Sequence, residues 1–214
     1  MSKLQHPNKK LWSFVPPFNP KQQVDRLAPF GWPLDGDIMI KKTVGTIKWS
    51  NQWQWIKNNR DLPWSFIGQV THQRRQECRL ASWGLPKTGL FISTDGFGQG
   101  LSRENYYESM VRSKFVLCPS GPRTPDTFRF AEALEAGCVP IVDNRTPNPN
   151  YPKGYWNYVF GMDEFPFPLV DDWQEVPDLF EGWLKDFDRL QALCCGWWMG
   201  AKYRMISQMR KDLE

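Results

Sequence analysis

The stretch Ser113-Lys-Phe-Val-Leu-Cys-Pro-Ser-Gly-Pro-Arg-Thr-Pro-Asp-Thr-Phe-Arg-Phe-Ala-Glu-Ala-Leu-Glu-Ala-Gly-Cys-Val-Pro-Ile-Val-Asp143 decides the fold. Its apolar run at 114–118 has the length of a buried strand, and 138–142 is a second such run. Residues 125–136 between them read as a helix. Thr124 is placed to cap it, and Pro125 suits its first position because the ring fixes φ. Ser120 and Gly121 allow tight backbone approach in the preceding loop. A strand, a crossover helix and a strand in that order imply two parallel strands.

The alternation continues outward. Residues 64–70 form a compact apolar run ending near Gly68, and a polar amphipathic stretch follows from Thr71 to about Ser82. Residues 88–94 read as another strand. Ser102 caps a helix running through Val111, with Glu104 in the first turn where the helix dipole favours it. Beyond residue 150, a connection rich in Pro, Trp and Tyr leads to two helical stretches, roughly 174–191 and 197–212. The expected fold class is α/β: a Rossmann-like parallel sheet with helices on both faces. Residues 1–63 read differently, because Pro16, Pro17, Pro20, Pro29, Pro33 and Pro63 break up long helices. They suggest an arm or remnant subdomain with one short strand (37–41) and one short helix (50–58). The chain thus divides at 1–63, 64–170 and 171–214.

Composition narrows the classes. The 214 residues carry 27 Lys+Arg against 23 Asp+Glu, a net charge of +4, too small by itself to argue for nucleic acid. The apolar fraction of 41% supports a folded core rather than disorder. No run approaches the about 20 apolar residues that span a bilayer, and the N-terminus lacks the apolar centre of a secretory signal. The expectation is a soluble, cytoplasmic protein, or one of the host cytoplasm if viral. Cysteines 78, 118, 138, 194 and 195 form no CxxC, and only His6 and His72 could join them. Reduced, buried thiols fit better than zinc or disulfides. The aromatic content of 15% is assigned mainly to the core, with stacking platforms for sugars or bases as the competing use.

Ligands in open α/β sheets bind beyond the carboxyl ends of the strands. The first-turn N–H groups of the 125–136 helix make an anion site there, and Arg129 adds a full charge. Arg129, Glu132 and Glu135 fall at i, i+3 and i+6, a polar stripe beside packing positions Phe128, Ala131 and Leu134. One reading gives Arg129 to a diphosphate and Glu132 to a ribose diol. An i,i+3 ion pair on a solvated face explains the same spacing. Spacing alone leaves both open.

The full 113–143 segment resembles the exostosin family of glycosyltransferases, whose signature runs SKFCLxPxG, SxR, then EAxxxGCxPV. Phe66-Ile-Gly-Gln with Arg74 and Arg75 is similar to that family's first strand and helix, and Pro149 to Val159 with Trp156 to a later segment. The resemblance covers about residues 64–170. It implies the nucleotide-sugar half of a GT-B fold, transferring sugar from a nucleotide donor, UDP-linked by expectation, to a hydroxyl. Mapped onto this chain, Arg129 holds the donor diphosphate and Glu132 the ribose. Asp126 and Thr127 sit near the phosphates or sugar, Gly68 lets the first loop approach the donor, and Arg74 or Arg75 adds charge. The acid of the wider E-x7-E pattern would fall at Thr124 and is absent. No metal or cofactor is implied beyond the co-substrate.

Two departures qualify that picture. Sixty-three proline-rich residues are too few for a separate acceptor domain in full, and no anchor is expected from these residues where the family is commonly membrane-bound. A compact bacterial or viral version, a homo-oligomer, or a partner chain completing the acceptor site fits both. Two other readings follow. One is a bacteriophage-type enzyme modifying hydroxymethylated bases in DNA, with Lys48, Trp49, Trp53, Trp55 and Lys57 as contacts. The other is a non-catalytic sugar-nucleotide-binding subunit.

Weaker signals remain. Asp35-Gly36-Asp37 is formally a DxD but precedes the sheet, so a metal role is not expected. Residues 95–100, glycine-rich, follow a strand at the ligand edge and read as a loop facing the site. Asp95, His72 and Asp126 come from the right loops for a catalytic base, and none is assigned. Arg74-Arg75 and Lys9-Lys10 also suit a solvated face, and Trp197-Trp198 a core or interface contact.

Overall fold

The computed structural model describes residues 60–96, 99–122, 124–145 and 154–213, together with the backbone of Trp12–Ser13 and Arg26–Leu27, which pair in parallel. The expected strand at 37–41 and helix at 50–58 lie outside the described residues.

The main sheet is built from runs whose side chains are nearly all apolar. These are β1 (Leu62–Gly68), β2 (Leu90–Ser93), β3 (Ser113–Cys118), β4 (Val139–Asp143) and β5 (Leu169–Val170). Every pairing is parallel, in the spatial order β2-β1-β3-β4-β5. Buried on both faces, β3 and β4 need continuous hydrophobic runs rather than alternation. Between the strands come α1 (Gln73–Ser82), α2 (Arg103–Arg112), α3 (Phe128–Glu135) and the short α4 (Tyr155–Phe160). A 3₁₀ turn (Trp173–Glu175) then leads to α5 (Val176–Lys185) and α6 (Phe187–Leu213). The chain leaves β1 in one direction and crosses back to β3. Right-handed crossovers therefore put α1 on one face and α2 and α3 on the other. The α/β, Rossmann-like expectation holds.

Local chemistry sets several boundaries. Ser102 caps α2 as expected, its hydroxyl accepting from the Asn105 N–H at 3.2 Å. Helix α3 begins at Phe128 with Thr127 as N-cap, three residues later than Thr124 and Pro125 suggested. Ahead of them the loop is held by the Gly121 N–H, which donates to the Thr124 carbonyl at 2.9 Å. At the other end of α3, Gly137 adopts φ 71°, which favours glycine. Its N–H donates to Leu134, and that of Cys138 to Ala133, a Schellman stop that returns the chain into β4. The C-terminal helices break at Asp186 and not between 191 and 197. Gly196 and Gly200 stay inside α6, where a glycine costs only about 1 kcal/mol.

The core is aromatic. Trp156, Trp173, Tyr155, Phe66, Phe115 and Phe130 are all fully buried. Phe130 packs on Trp156 at 4.7 Å and Phe167 at 5.2 Å between ring centroids. Trp197 and Trp198 join the same cluster. Two indole N–H groups brought inside find acceptors, Trp156 on the Asp143 carbonyl and Trp198 on Glu135, both at 2.9 Å, whereas that of Trp197 is buried without one. Cys78, Cys118, Cys138 and Cys194 are buried free thiols, and Cys195 is half-buried.

Candidate functional site

In a 2-1-3-4-5 sheet the connections diverge between β1 and β3, opening a crevice at the carboxyl ends of the strands. A cleft of about 600 Å³ lies there. Its walls come from the end of β1 (Ile67, Gly68, Gln69), the loop after β2 (Thr94, Gly96, Gln99) and the facing sides of α1, α2 and α3. The glycine-rich 95–100 segment thus does face the cleft through Gly96 and Gln99.

Arg129, the second residue of α3, is 7% exposed. Its Nε and Nη2 donate to the Ile67 carbonyl at 3.1 and 2.7 Å, and the guanidinium lies 4.5 Å from the Phe66 ring centroid. Nη1 is buried without a hydrogen-bond partner. Gly68 makes this seat possible: a Cβ there would fall 2.0 Å from Arg129 Nη2. Arg75 reaches in from α1, donating to the carbonyls of Gln69 (2.9 Å) and Ser120 (3.2 Å). Burial first, and then repulsion from Arg129, lowers its pKa to about 10. Both guanidiniums are held by carbonyl oxygens and, among the described residues, neither pairs with a carboxylate, so two positive charges face the cleft. Arg103 lines it as well.

Glu132, one turn along α3, is the carboxylate of the wall. It forms no ion pair with Arg129. Tyr106 donates to its Oε2 at 2.6 Å and Tyr107 to its Oε1 at 3.3 Å. Burial and the adjacent carboxylate push the Tyr106 phenol well above its ordinary value. The solvated i,i+3 pair offered by spacing is therefore not what forms. Thr127 is 8% exposed, lines the same wall, and has a buried Oγ1 without a partner.

Of the expected site residues, the structure brings Gly68, Thr127, Arg129 and Glu132 to the cleft, and leaves Arg74, Ser120, Gly121 and Asp126 off its lining. Arg74 and Arg75 are neighbours on a helix, about 100° apart, so only one faces the cleft. Arg74 instead grips the fully buried Asp143 through Nε (2.8 Å) and Nη2 (2.6 Å), and also pairs with Glu77. Ser120 supports from behind, its N–H approaching Asp143 Oδ2 at 3.4 Å and its carbonyl holding Arg75. Gly121 closes the loop turn, and Asp126 is buried in that loop. Asp95 and His72, the other candidate bases, are also off the lining. His72 is half-buried, with its pKa lowered by burial and by Arg75. Asp35 and Asp37 lie outside the described residues. Among the described residues, no three His, Cys, Asp or Glu side chains gather as metal ligands. Tyr106, Tyr107, Thr94, Gln99 and Arg103 were not singled out from sequence. A polar helix face following a glycine-rich loop was the available signal.

Fold and cleft define an α/β domain with a cationic crevice at its topological switch point, suited to a phosphorylated ligand. Residues 40–176, well over half the chain, match the Exostosin GT47 domain, and the chain belongs to that family of glycosyltransferases. It is also similar to human Ribitol-5-phosphate xylosyltransferase 1, with 22% identity over 165 residues. That alignment takes in 71% of this chain and 36% of the human protein, so the chain spans about a third of that relative. Among the described residues no helix is long and apolar enough to cross a membrane.

Proposed function

We propose that this chain is the donor-binding domain of a GT-B-type glycosyltransferase. It takes a nucleoside diphosphate sugar, UDP-linked in the first instance, and passes the sugar to an acceptor hydroxyl. The observation that carries this reading is the pair of inward guanidiniums, Arg75 and Arg129, anchored to carbonyls and, among the described residues, free of carboxylates. As the bond from the anomeric carbon to the phosphate oxygen breaks, negative charge gathers on the departing diphosphate. Preorganised donors aimed at that charge lower the barrier without reorganising. The N-terminus of α3 adds its dipole in the same direction. On this reading the arginines take the part that a divalent cation plays in other transferases, and the reaction needs no metal. The human relative's name makes xylose-bearing donors the first to assay.

Replacing Arg129 with alanine tests the assignment. Affinity for UDP and for inorganic pyrophosphate, read by calorimetric titration, is expected to fall about 10- to 100-fold, the worth of a charged hydrogen-bonding group. Affinity close to that of the parent protein overturns the role.

A further inference from the structure

Helix α6 has the composition of an interior element but stands at the surface. From Leu190 to Ala201 it carries no charged residue, and its one amide side chain there, Gln191, is buried on the Gly137 carbonyl at 2.8 Å. A helix apolar on every side belongs between two packed layers. One layer is in place: Phe187, Cys194, Trp198 and Ala201 are buried against the domain. The opposite face carries Ala192, Gly196, Met199, Tyr203 and Ile206, all exposed, Tyr203 at 74%. Their spacing, alternating between four and three residues, is that of a seam along which one helix packs on another.

We propose that a second copy of this chain covers the seam, the two α6 helices packing antiparallel about a two-fold axis near Met199. The exposed face has a direction. Its small residues, Ala192 and Gly196, lie in the amino-terminal half, and its large ones, Tyr203 and Ile206, in the carboxyl-terminal half. Asp188 stands in the first turn, Arg210 and Lys211 in the last. Reversing one copy sets small opposite large and acid opposite base, and it opposes the helix dipoles. A parallel pair sets large on large and like charge on like. Gly196 fits the reversed order. A Cβ there would meet open space within its own chain, so the fold itself does not call for the glycine, whereas an incoming Tyr203 ring needs the room. None of the seam residues lines the cleft, so this inference stands apart from the donor-binding reading.

Sedimentation velocity on the full chain, from about 1 to about 100 μM, tests the proposal. Contact from Ala192 to Arg210 runs about 27 Å at the helical rise, the small end of specific interfaces, so a dimer dissociating in the range of about 1–50 μM is expected. Tyr203→Glu raises that constant about tenfold or more, while helical circular dichroism and the urea midpoint of the dilute protein stay at the parent values. Met199→Glu acts in the same way and serves if Tyr203→Glu is unstable. Asp188→Lys and Arg210→Glu each weaken the dimer several-fold, and the double variant regains parent affinity. A double variant no tighter than the singles overturns the antiparallel order. A parent monomeric at about 100 μM overturns the proposal, as does a dimer indifferent to both glutamates. Two other covers give distinct results, and either one overturns it. If residues of the same chain cover the face, the parent is monomeric and Tyr203→Glu lowers its urea midpoint. If a membrane surface does, a monomeric parent pellets with phosphatidylcholine–phosphatidylserine vesicles and Tyr203→Glu stays in the supernatant.

Discussion

Arg129 is held in place by something a sequence shows only as a missing side chain. Gly68 ends β1 where the guanidinium must cross to reach the Ile67 carbonyl. Adding a methyl group there puts carbon 2.0 Å from Nη2, well inside van der Waals contact. Gly68→Ala is therefore expected to reproduce the binding defect of Arg129→Ala, about tenfold or more for pyrophosphate, although no charge has been removed. Overpacking of this kind costs about 1–3 kcal/mol in stability, which denaturant titration measures. Parent-like pyrophosphate affinity in Gly68→Ala would sink the idea that the glycine seats the arginine. The expectation from sequence was that Gly68 admits the ligand; the side chain it admits at this distance is the protein's own arginine.

At the scale of elements, the amino ends of the central strands depend on Arg60. Only 6% exposed, it donates to the Ala136 carbonyl at the end of α3 (2.6 Å), to the Ser113 carbonyl where α2 passes into β3, and to Cys138 Sγ (3.3 Å). One guanidinium thus closes the carboxyl ends of two helices, where a cation also meets the favourable end of the dipole. Arg60→Ala strands buried carbonyls and is expected to cost about 3 kcal/mol, seen as a lower urea midpoint with pyrophosphate binding intact. A midpoint unchanged from the parent would show that water replaces the side chain without loss. The strand read at 114–118, the α2 cap at Ser102 and the end of α3 near 136 were legible because each rests on neighbours in sequence. Arg60 was not: its partners stand 50 to 78 residues away and it precedes the first apolar run. The same holds for Arg74, whose partner Asp143 is 69 residues distant, and for Tyr106, 26 residues from Glu132. The start of α3 was misplaced for another reason: the Thr124 carbonyl is taken by the Gly121 N–H of the loop, so it opens no helix at Pro125.

For the whole molecule, burial sets how stability responds to pH, from the acid side and from the alkaline side. Burial, with Arg74 and Arg75 adding repulsion and Asp143 opposing, holds the His72 pKa below its ordinary 6.5. The unfolded chain then takes up a proton that the folded one refuses. The His72 contribution is whole above 6.5 and is lost as pH falls through the lower folded value. The buried thiols of Cys78, Cys118 and Cys138 work in the other direction, since burial raises each above its ordinary 9.0. Unfolded thiols ionise above 9.0 while folded ones stay neutral, so their contribution is present below that value and declines as pH rises past it. Urea midpoints measured from about pH 5 to about pH 10 are expected to form a plateau between 6.5 and 9.0, falling on both sides. His72→Gln should flatten the acid side alone, because it removes the proton acceptor and leaves the thiols untouched. An acid limb identical in parent and variant would remove His72 as the source of that loss.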